Sequence, residues 1–215
     1  MSKRAVFLDR DGVINRYIYN AEVGTVDSPS NASEFSLLPG VAGAVATFRR
    51  LGLLTIVVSN QPGIAKGKFR KELLDQMTET MVTALGVSGA RVDDVWYCLH
   101  HPQATVPEYR VSCSCRKPKP GLLLGAAEKW GIDLSASYMV GDGIADLQAG
   151  AAAGTKTLFV SSRKCYLCEE LTRQGVQPDY FVSSAEEAAT VIRSIELGEH
   201  ETVRQFLPGG CFSNL

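Results

Sequence analysis

Ala5-Val6-Phe7-Leu8-Asp9-Arg10-Asp11-Gly12-Val13 is the stretch that decides the fold. Val6, Phe7 and Leu8 form an unbroken apolar run, the pattern of a strand buried on both faces of a parallel sheet. The run ends in two aspartates one residue apart, and Gly12 gives the backbone the freedom for a tight turn behind them. In open α/β sheets, ligands bind at the carboxyl ends of strands. Two carboxylates placed there suit a divalent cation and leave one group free to act as a nucleophile.

Outward from this point, strand-like and helix-like segments alternate. The patterning predicts further strands over 53–58, 92–98, 138–140, 157–160 and 180–182, and helices over 41–51, 70–85, 121–130, 144–153, 164–174 and 185–197. Such alternation predicts an α/β fold of three layers, α/β/α and Rossmann-like, around a parallel sheet. The polar stretch 17–36, with its Gly, Pro, Asn and Ser, reads as a long functional loop. Residues 100–120 read as irregular. A single domain is expected over 1–198, with a tail over 199–215, and no internal repeat is visible.

The totals exclude several classes. The chain has 215 residues, 45% hydrophobic and 21% charged, with a net charge of −1, so nothing in them implies a basic face for nucleic acid. No apolar run approaches a membrane span. Met1-Ser2-Lys3-Arg4 leads straight into the first strand, so no secretory leader is expected. The expectation is a cytoplasmic monomer with a small-molecule substrate and neither nucleic-acid nor membrane partners.

Polar chemistry gathers at the other strand ends. Ser59-Asn60 follows the second strand and Asp142 follows Gly141, while the loop carrying Arg116-Lys117 can reach the same rim. A cation and a lysine neutralise phosphate oxygens, a hydroxyl and backbone N–H groups hold others, one aspartate attacks and another moves the proton. Each piece alone has a bland reading: a solvated turn for the aspartates, a helix cap for Ser59, a surface charge for Lys117. Four pieces in order, each at a strand end or rim loop, argue for a phosphoryl-transfer site.

Cysteine usage marks a second centre. Of six cysteines, three lie in Cys98-Leu99-His100-His101-Pro102 and Cys113-Ser114-Cys115, which gives C-x-H, twelve residues, then C-x-C. Three thiolates and one imidazole suit tetrahedral zinc with no open position, a structural site. Three buried free thiols beside a surface histidine are the alternative. Cys165 and Cys168 form a C-x-x-C that reads as two partly buried thiols, with no second pair nearby.

Asp9-Arg10-Asp11-Gly12-Val13, Ser59-Asn60, Lys117 and Gly141-Asp142 resemble the four motifs of the haloacid dehalogenase (HAD) superfamily, over about residues 4–160. The resemblance implies that Asp9 is the nucleophile that forms an aspartyl-phosphate. Asp11 protonates the leaving oxygen and then activates water, and Ser59 and Lys117 hold the phosphoryl group. It implies Mg2+ held by Asp9, the backbone carbonyl of Asp11, and Asp142. Aspartate at the second position fits phosphatase or mutase branches. Cys-x-His-His-Pro followed by Cys-x-Cys-Arg-Lys-Pro-x-Pro-Gly closely resembles the D-glycero-D-manno-heptose 1,7-bisphosphate phosphatases, as does the loop 60–67, with Pro62 where a serine is common. That likeness implies Cys98, His100, Cys113 and Cys115 as ligands of structural zinc, Asn60, Gln61, Arg116 and Lys117 as substrate contacts, and removal of the 7-phosphate in a glycan or lipopolysaccharide route. Histidinol-phosphate phosphatases, relatives with a similar zinc loop, supply the alternative substrate. No large cap is visible, so loops are expected to cover the site, which argues against a mutase.

Four features depart from the pattern or leave it open. Gly143 stands where the family often has a lysine or arginine. Asp146 either orients the site or decorates a helix surface. Asn15 either touches substrate or caps a turn. The loop 16–33 is longer than in the typical heptose enzyme.

Overall fold

The computed structural model describes residues 2–22, 24–161 and 166–199. The tail from residue 200 onward and the side chains of the Cys165 and Cys168 pair lie outside the described residues.

In chain order the elements are β1 (Ala5–Leu8), β2 (Ile18–Asn20), β3 (Thr25–Asp27), α1 (Val41–Arg50), β4 (Leu54–Asn60), α2 (Lys71–Val87) and β5 (Asp94–Cys98). They continue with α3 (Gly121–Trp130), β6 (Tyr138–Gly141), α4 (Ile144–Ala153), β7 (Lys156–Val160), α5 (Tyr166–Arg173), β8 (Tyr180–Val182) and α6 (Ala185–Glu196). Among the described residues, β5-β4-β1-β6-β7-β8 form one sheet in that order, every pair parallel.

β1 explains the layering. Its side chains alternate between faces, yet all four are buried, because helices cover both sides of the sheet. Val6 and Leu8 join the layer of α1, α2 and α6 with Phe48, Met77 and Ile192, while Ala5 and Phe7 join the layer of α3 and α4 with Leu123, Ala126 and Ala149. This is the expected three-layer α/β/α parallel fold.

The order also fixes where a site can form. From β1 the chain moves outward to β4 and β5, then returns to β6 on the other side of β1 and moves outward again to β7 and β8. The switch in direction falls between β1 and β6. A crevice opens at such a switch point beyond the carboxyl ends of the two strands. Asp9 follows β1 and Asp142 follows β6, and the Asp9 N–H bonds the Val140 carbonyl across the pair at 3.0 Å.

One expectation is corrected. The stretch 17–36 is not all loop: β2 and β3 pair antiparallel, with Ile18 opposite Asp27 and Asn20 opposite Thr25. Gly24, with φ of +66°, serves the turn between them. The hairpin escapes a reading by periodicity because each strand is three residues long and neither has a buried face. The rest of the segment returns to the sheet through Arg16, whose N–H bonds the Ser36 carbonyl at 3.0 Å.

Candidate active site

The turn after β1 is built tightly. Gly12 has φ of +85°, and a Cβ there would meet Asp142 Oδ2 at 2.1 Å. Only glycine lets this turn come so close to the β6 carboxylate. Arg10 turns inward and is fully buried. Its Nε and Nη2 donate to Asp11 Oδ1 at 3.1 and 3.0 Å, and its Nη2 also reaches Gln61 Oε1 at 2.9 Å. Asn15 and Gln61 complete the cradle, donating to the Asp11 carboxylate at 2.9 and 2.8 Å. Asn15 thus holds Asp11 from beneath and is itself fully buried.

Lys117 joins the rim from the loop before α3. Its ammonium is buried and donates to Asp9 Oδ1 at 2.9 Å and to the Val58 carbonyl at 2.8 Å, and pairs with Asp146 Oδ1 at 2.6 Å. Burial alone would lower the Lys117 pKa, but Asp146 and Asp9 outweigh it and keep the ammonium charged. Burial pushes Asp146 above the ordinary carboxylate range, with Asp9 and Asp142 adding repulsion against the pull of Lys117. Asn60 locks the loop: its amide nitrogen donates to the Lys117 carbonyl at 3.0 Å and its oxygen accepts from the Lys117 N–H at 3.1 Å. Ser59 lies buried beside Gln61, whose amide nitrogen is 3.1 Å from its hydroxyl.

The structure therefore brings Asp9, Asp11, Ser59, Asn60, Gln61, Lys117 and Asp142 to one rim. Asp146, left open by the sequence, belongs to it as well. Asp146 sits in the first turn of α4, where its carboxylate also accepts the Gly143 N–H at 3.0 Å. The signal for it was the glycine pair around Asp142: a Cβ on Gly141 would meet Asp146 Cβ at 2.2 Å. Arg116 lies one residue from the rim lysine and donates to the His100 carbonyl at 3.2 Å. Oxygens of Asp9, Asp142 and Asp146 all lie within 4.8 Å of one another. Lys117 pairs with Asp9 and Asp146, and Asp142 adds a third carboxylate to the cluster; this is a set of hard oxygen donors that fits a divalent cation.

The four soft ligands also meet. Ligand atoms of Cys98, His100, Cys113 and Cys115 lie within 4.8 Å of one another. Cys98 Sγ is 3.7 Å from Cys113 Sγ and 3.3 Å from Cys115 Sγ, and His100 Nδ1 is 3.3 Å from Cys115 Sγ. Tetrahedral zinc ligands stand roughly 3.5–3.8 Å apart at ordinary bond lengths; the Cys98–Cys113 pair matches, and the two 3.3 Å pairs lie a few tenths of an ångström inside that span. All three thiols are free. Burial pushes Cys98 and Cys115 up; against burial, hydrogen bonds from Cys115, the Arg116 backbone, Cys98 and His100 bring Cys113 down to about 6. Three sulfurs this close carry full thiolate charge together only around a cation.

A cavity of about 380 Å³ opens beside the rim. Gln61 belongs to both, and Ile18 and Asn20 of the hairpin line it together with Lys66 and Lys68. Lys68 is ion-paired with Asp27 of β3, tying the hairpin to the loop after β4.

A HAD-hydrolase-like family model matches residues 114–188. The chain is 44% identical over 156 residues to D-glycero-beta-D-manno-heptose-1,7-bisphosphate 7-phosphatase of Escherichia coli strain K12, covering 72% of this chain and 78% of that one. Among solved structures, a HAD-like phosphatase from Mesorhizobium loti is 30% identical with a TM-score of 0.73, covering 91% of this chain and 87% of that one. D,D-heptose 1,7-bisphosphate phosphatase from B. bronchiseptica, complexed with magnesium and phosphate, is 28% identical with a TM-score of 0.74, covering 89% and 99%. The parallel sheet, the polar rim at its switch point and these likenesses lead to one conclusion: the chain is a phosphoric monoester hydrolase of the HAD superfamily and belongs to its heptose bisphosphate phosphatase family.

Proposed function

We propose that this chain is a Mg2+-dependent phosphatase that removes the 7-phosphate of D-glycero-D-manno-heptose 1,7-bisphosphate through a phosphorylated Asp9. The observation that carries the reading is the buried Lys117, which joins Asp9 to Asp146 at the end of β1 with Asp142 alongside. The name of the Escherichia coli relative and the magnesium and phosphate held by the B. bronchiseptica neighbour support it.

Asp9, the Asp11 backbone carbonyl and Asp142 would hold the Mg2+, which supplies positive charge to the phosphoryl oxygens. Lys117 and the Ser59 hydroxyl hold the same group from the protein side. Asp9 attacks phosphorus, and the sugar oxygen leaves with a proton from Asp11. The Asp11 carboxylate then takes a proton from water as that water attacks the phosphoryl group, which releases phosphate and restores Asp9. Arg10, Asn15 and Gln61 keep the Asp11 carboxylate aimed through both halves.

The cavity beyond Gln61 takes the heptose, its size within the range of small-ligand sites. Lys66 and Lys68 on its wall meet the 1-phosphate, and Arg116 adds recognition next to Lys117. Cys98, His100, Cys113 and Cys115 hold structural Zn2+, which fixes the loop that runs directly into Arg116 and Lys117. The site works within a single domain over residues 1–198, as a cytoplasmic monomer.

The test is phosphate release in Mg2+ from heptose 1,7-bisphosphate and from histidinol phosphate, with Asp9→Asn as blank. A strong preference for the heptose, lost in the variant, is expected. Equal turnover of both substrates would sink the substrate assignment, and full activity in Asp9→Asn would sink the mechanism.

A further inference from the structure

Tyr17 places its hydroxyl between two oxygens of the rim. Its ring lies over Gly12, where an added Cβ would meet Tyr17 Cε2 at 2.7 Å. Its hydroxyl is 2.9 Å from Asp142 Oδ2 and 3.2 Å from the Asp11 carbonyl oxygen. These are two of the oxygens proposed to hold the cation, so any role of Tyr17 toward that cation rests on the proposed function.

A phenol has one proton and here faces two acceptors. One proton shared between two acceptors gives them less than two full hydrogen bonds. A neutral hydroxyl also brings no positive charge to Asp142, which stands beside Asp9 and Asp146 while Lys117 pairs with those two. A divalent cation satisfies both oxygens at once and supplies that charge. Tyr17 is followed at once by β2, whose Ile18 and Asn20 line the cavity. Whatever displaces the hydroxyl therefore pulls on the cavity wall.

We infer that Tyr17 is a placeholder for the cation: its hydroxyl and Mg2+ compete for Asp142 and the Asp11 carbonyl, and cation binding releases the β2–β3 hairpin. Cation occupancy and the shape of the substrate cavity are then linked, because a ligand that favours one arrangement draws the other with it.

Tyr17→Phe tests this, since it keeps the ring against Gly12 and removes only the competing oxygen. Calorimetric titration with Mg2+ should show the variant binding about three- to tenfold more tightly, the value of one hydrogen bond. In the parent protein Mg2+ should speed amide exchange in β2 and β3, residues 18–20 and 25–27. In the variant those amides should exchange fast already and respond little to Mg2+. Equal or weaker Mg2+ binding by Tyr17→Phe overturns the placeholder, as does a hairpin whose exchange ignores Mg2+ in the parent. If the parent binds no Mg2+ at all, or binds it equally well as Asp142→Asn, the cation site itself is wrong and the proposed function falls with it.

Discussion

The floor and the roof of the cavity are built by opposite means. On the floor, Lys117, Asp142 and Asp146 are buried, and Asp9 is tied to β6 through its backbone. Asp9 and Asp142 follow strands of a sheet covered on both faces, Asp146 sits in the first turn of α4, and the Lys117 backbone is held to Asn60 by two hydrogen bonds, so none of these groups is free to shift. On the roof, Tyr19 and Val26 of the hairpin are 66% and 64% exposed, and the hairpin is held by the Tyr17 hydroxyl and the pair of Lys68 with Asp27. Segments with few buried contacts open at low cost. On the proposed function the difference separates two jobs: the chemistry that needs fixed distances is assigned to the sheet, and selection of the leaving group to the hairpin, which has few buried contacts of its own.

Floor variants should therefore do the most damage. Lys117→Met leaves Asp9 and Asp146 facing each other in a buried site without their shared counter-charge. Breaking a buried pair in this way costs about 3–5 kcal/mol, and losing the group proposed to hold the transferring phosphoryl costs on the order of 10²–10³ in rate. Urea unfolding and phosphate-release assays read the two losses separately. A Lys117→Met protein as stable and active as the parent would erase the distinction between floor and roof.

The cysteine loop joins the floor at one remove. Cys115→Ser removes a proposed zinc ligand two residues before Lys117, so the expected loss is in both melting temperature and kcat, smaller in rate than for Lys117→Met. A zinc chelator should reproduce the loss in the parent and do little further to Cys115→Ser. Unchanged melting with chelator would mean that this loop holds itself by packing alone.

How much was legible follows the same division. The floor could be read because it is written in strong patterns: β1 and β6 are apolar runs that stop at carboxylates, and Cys-x-His with Cys-x-Cys brackets one loop. The roof could not, because β2 and β3 have no buried face from which a period could be read. Asp146 falls between. Its spacing from Asp142 fits a surface position as well as an inward one, and only the close packing of Gly141 against it decides the direction. Asn60 shows the limit at single residues: its position on the rim was clear, but its side chain grips the Lys117 backbone, a contact set by the end of β4 meeting a loop 57 residues further on. The placement of Tyr17 needed the three-dimensional turn around Gly12.

Roof variants should change affinity more than rate. Lys68→Ala breaks the tie to Asp27 and removes one of the two lysines assigned to the distal phosphate. KM for heptose 1,7-bisphosphate should rise several-fold, with kcat within about twofold, because interactions made equally in ground and transition states act through KM. Asp27→Asn frees the hairpin but keeps Lys68, so its effect should be smaller. If Asp27→Asn raises KM as much as Lys68→Ala, the tie matters and the lysine charge does not.

The smallest expected effect separates the two regions by pH. Glu34, on the cavity wall, accepts the Ser30 N–H at 2.8 Å and the Ser30 hydroxyl at 2.9 Å, and these bonds hold its pKa below the ordinary value of 4.5. A carboxylate lowered by folding contributes its full share above the unfolded pKa and loses it as pH falls through the folded one. Between pH 6 and the acid end, amides of residues 30–34 should lose protection, after correction for intrinsic exchange rates, before β1 and β6 do. Glu34→Gln should weaken that protection at pH 6 and flatten its dependence on pH. If the floor strands lose protection at the same pH as 30–34, the roof does not open on its own, and the two walls form one cooperative unit.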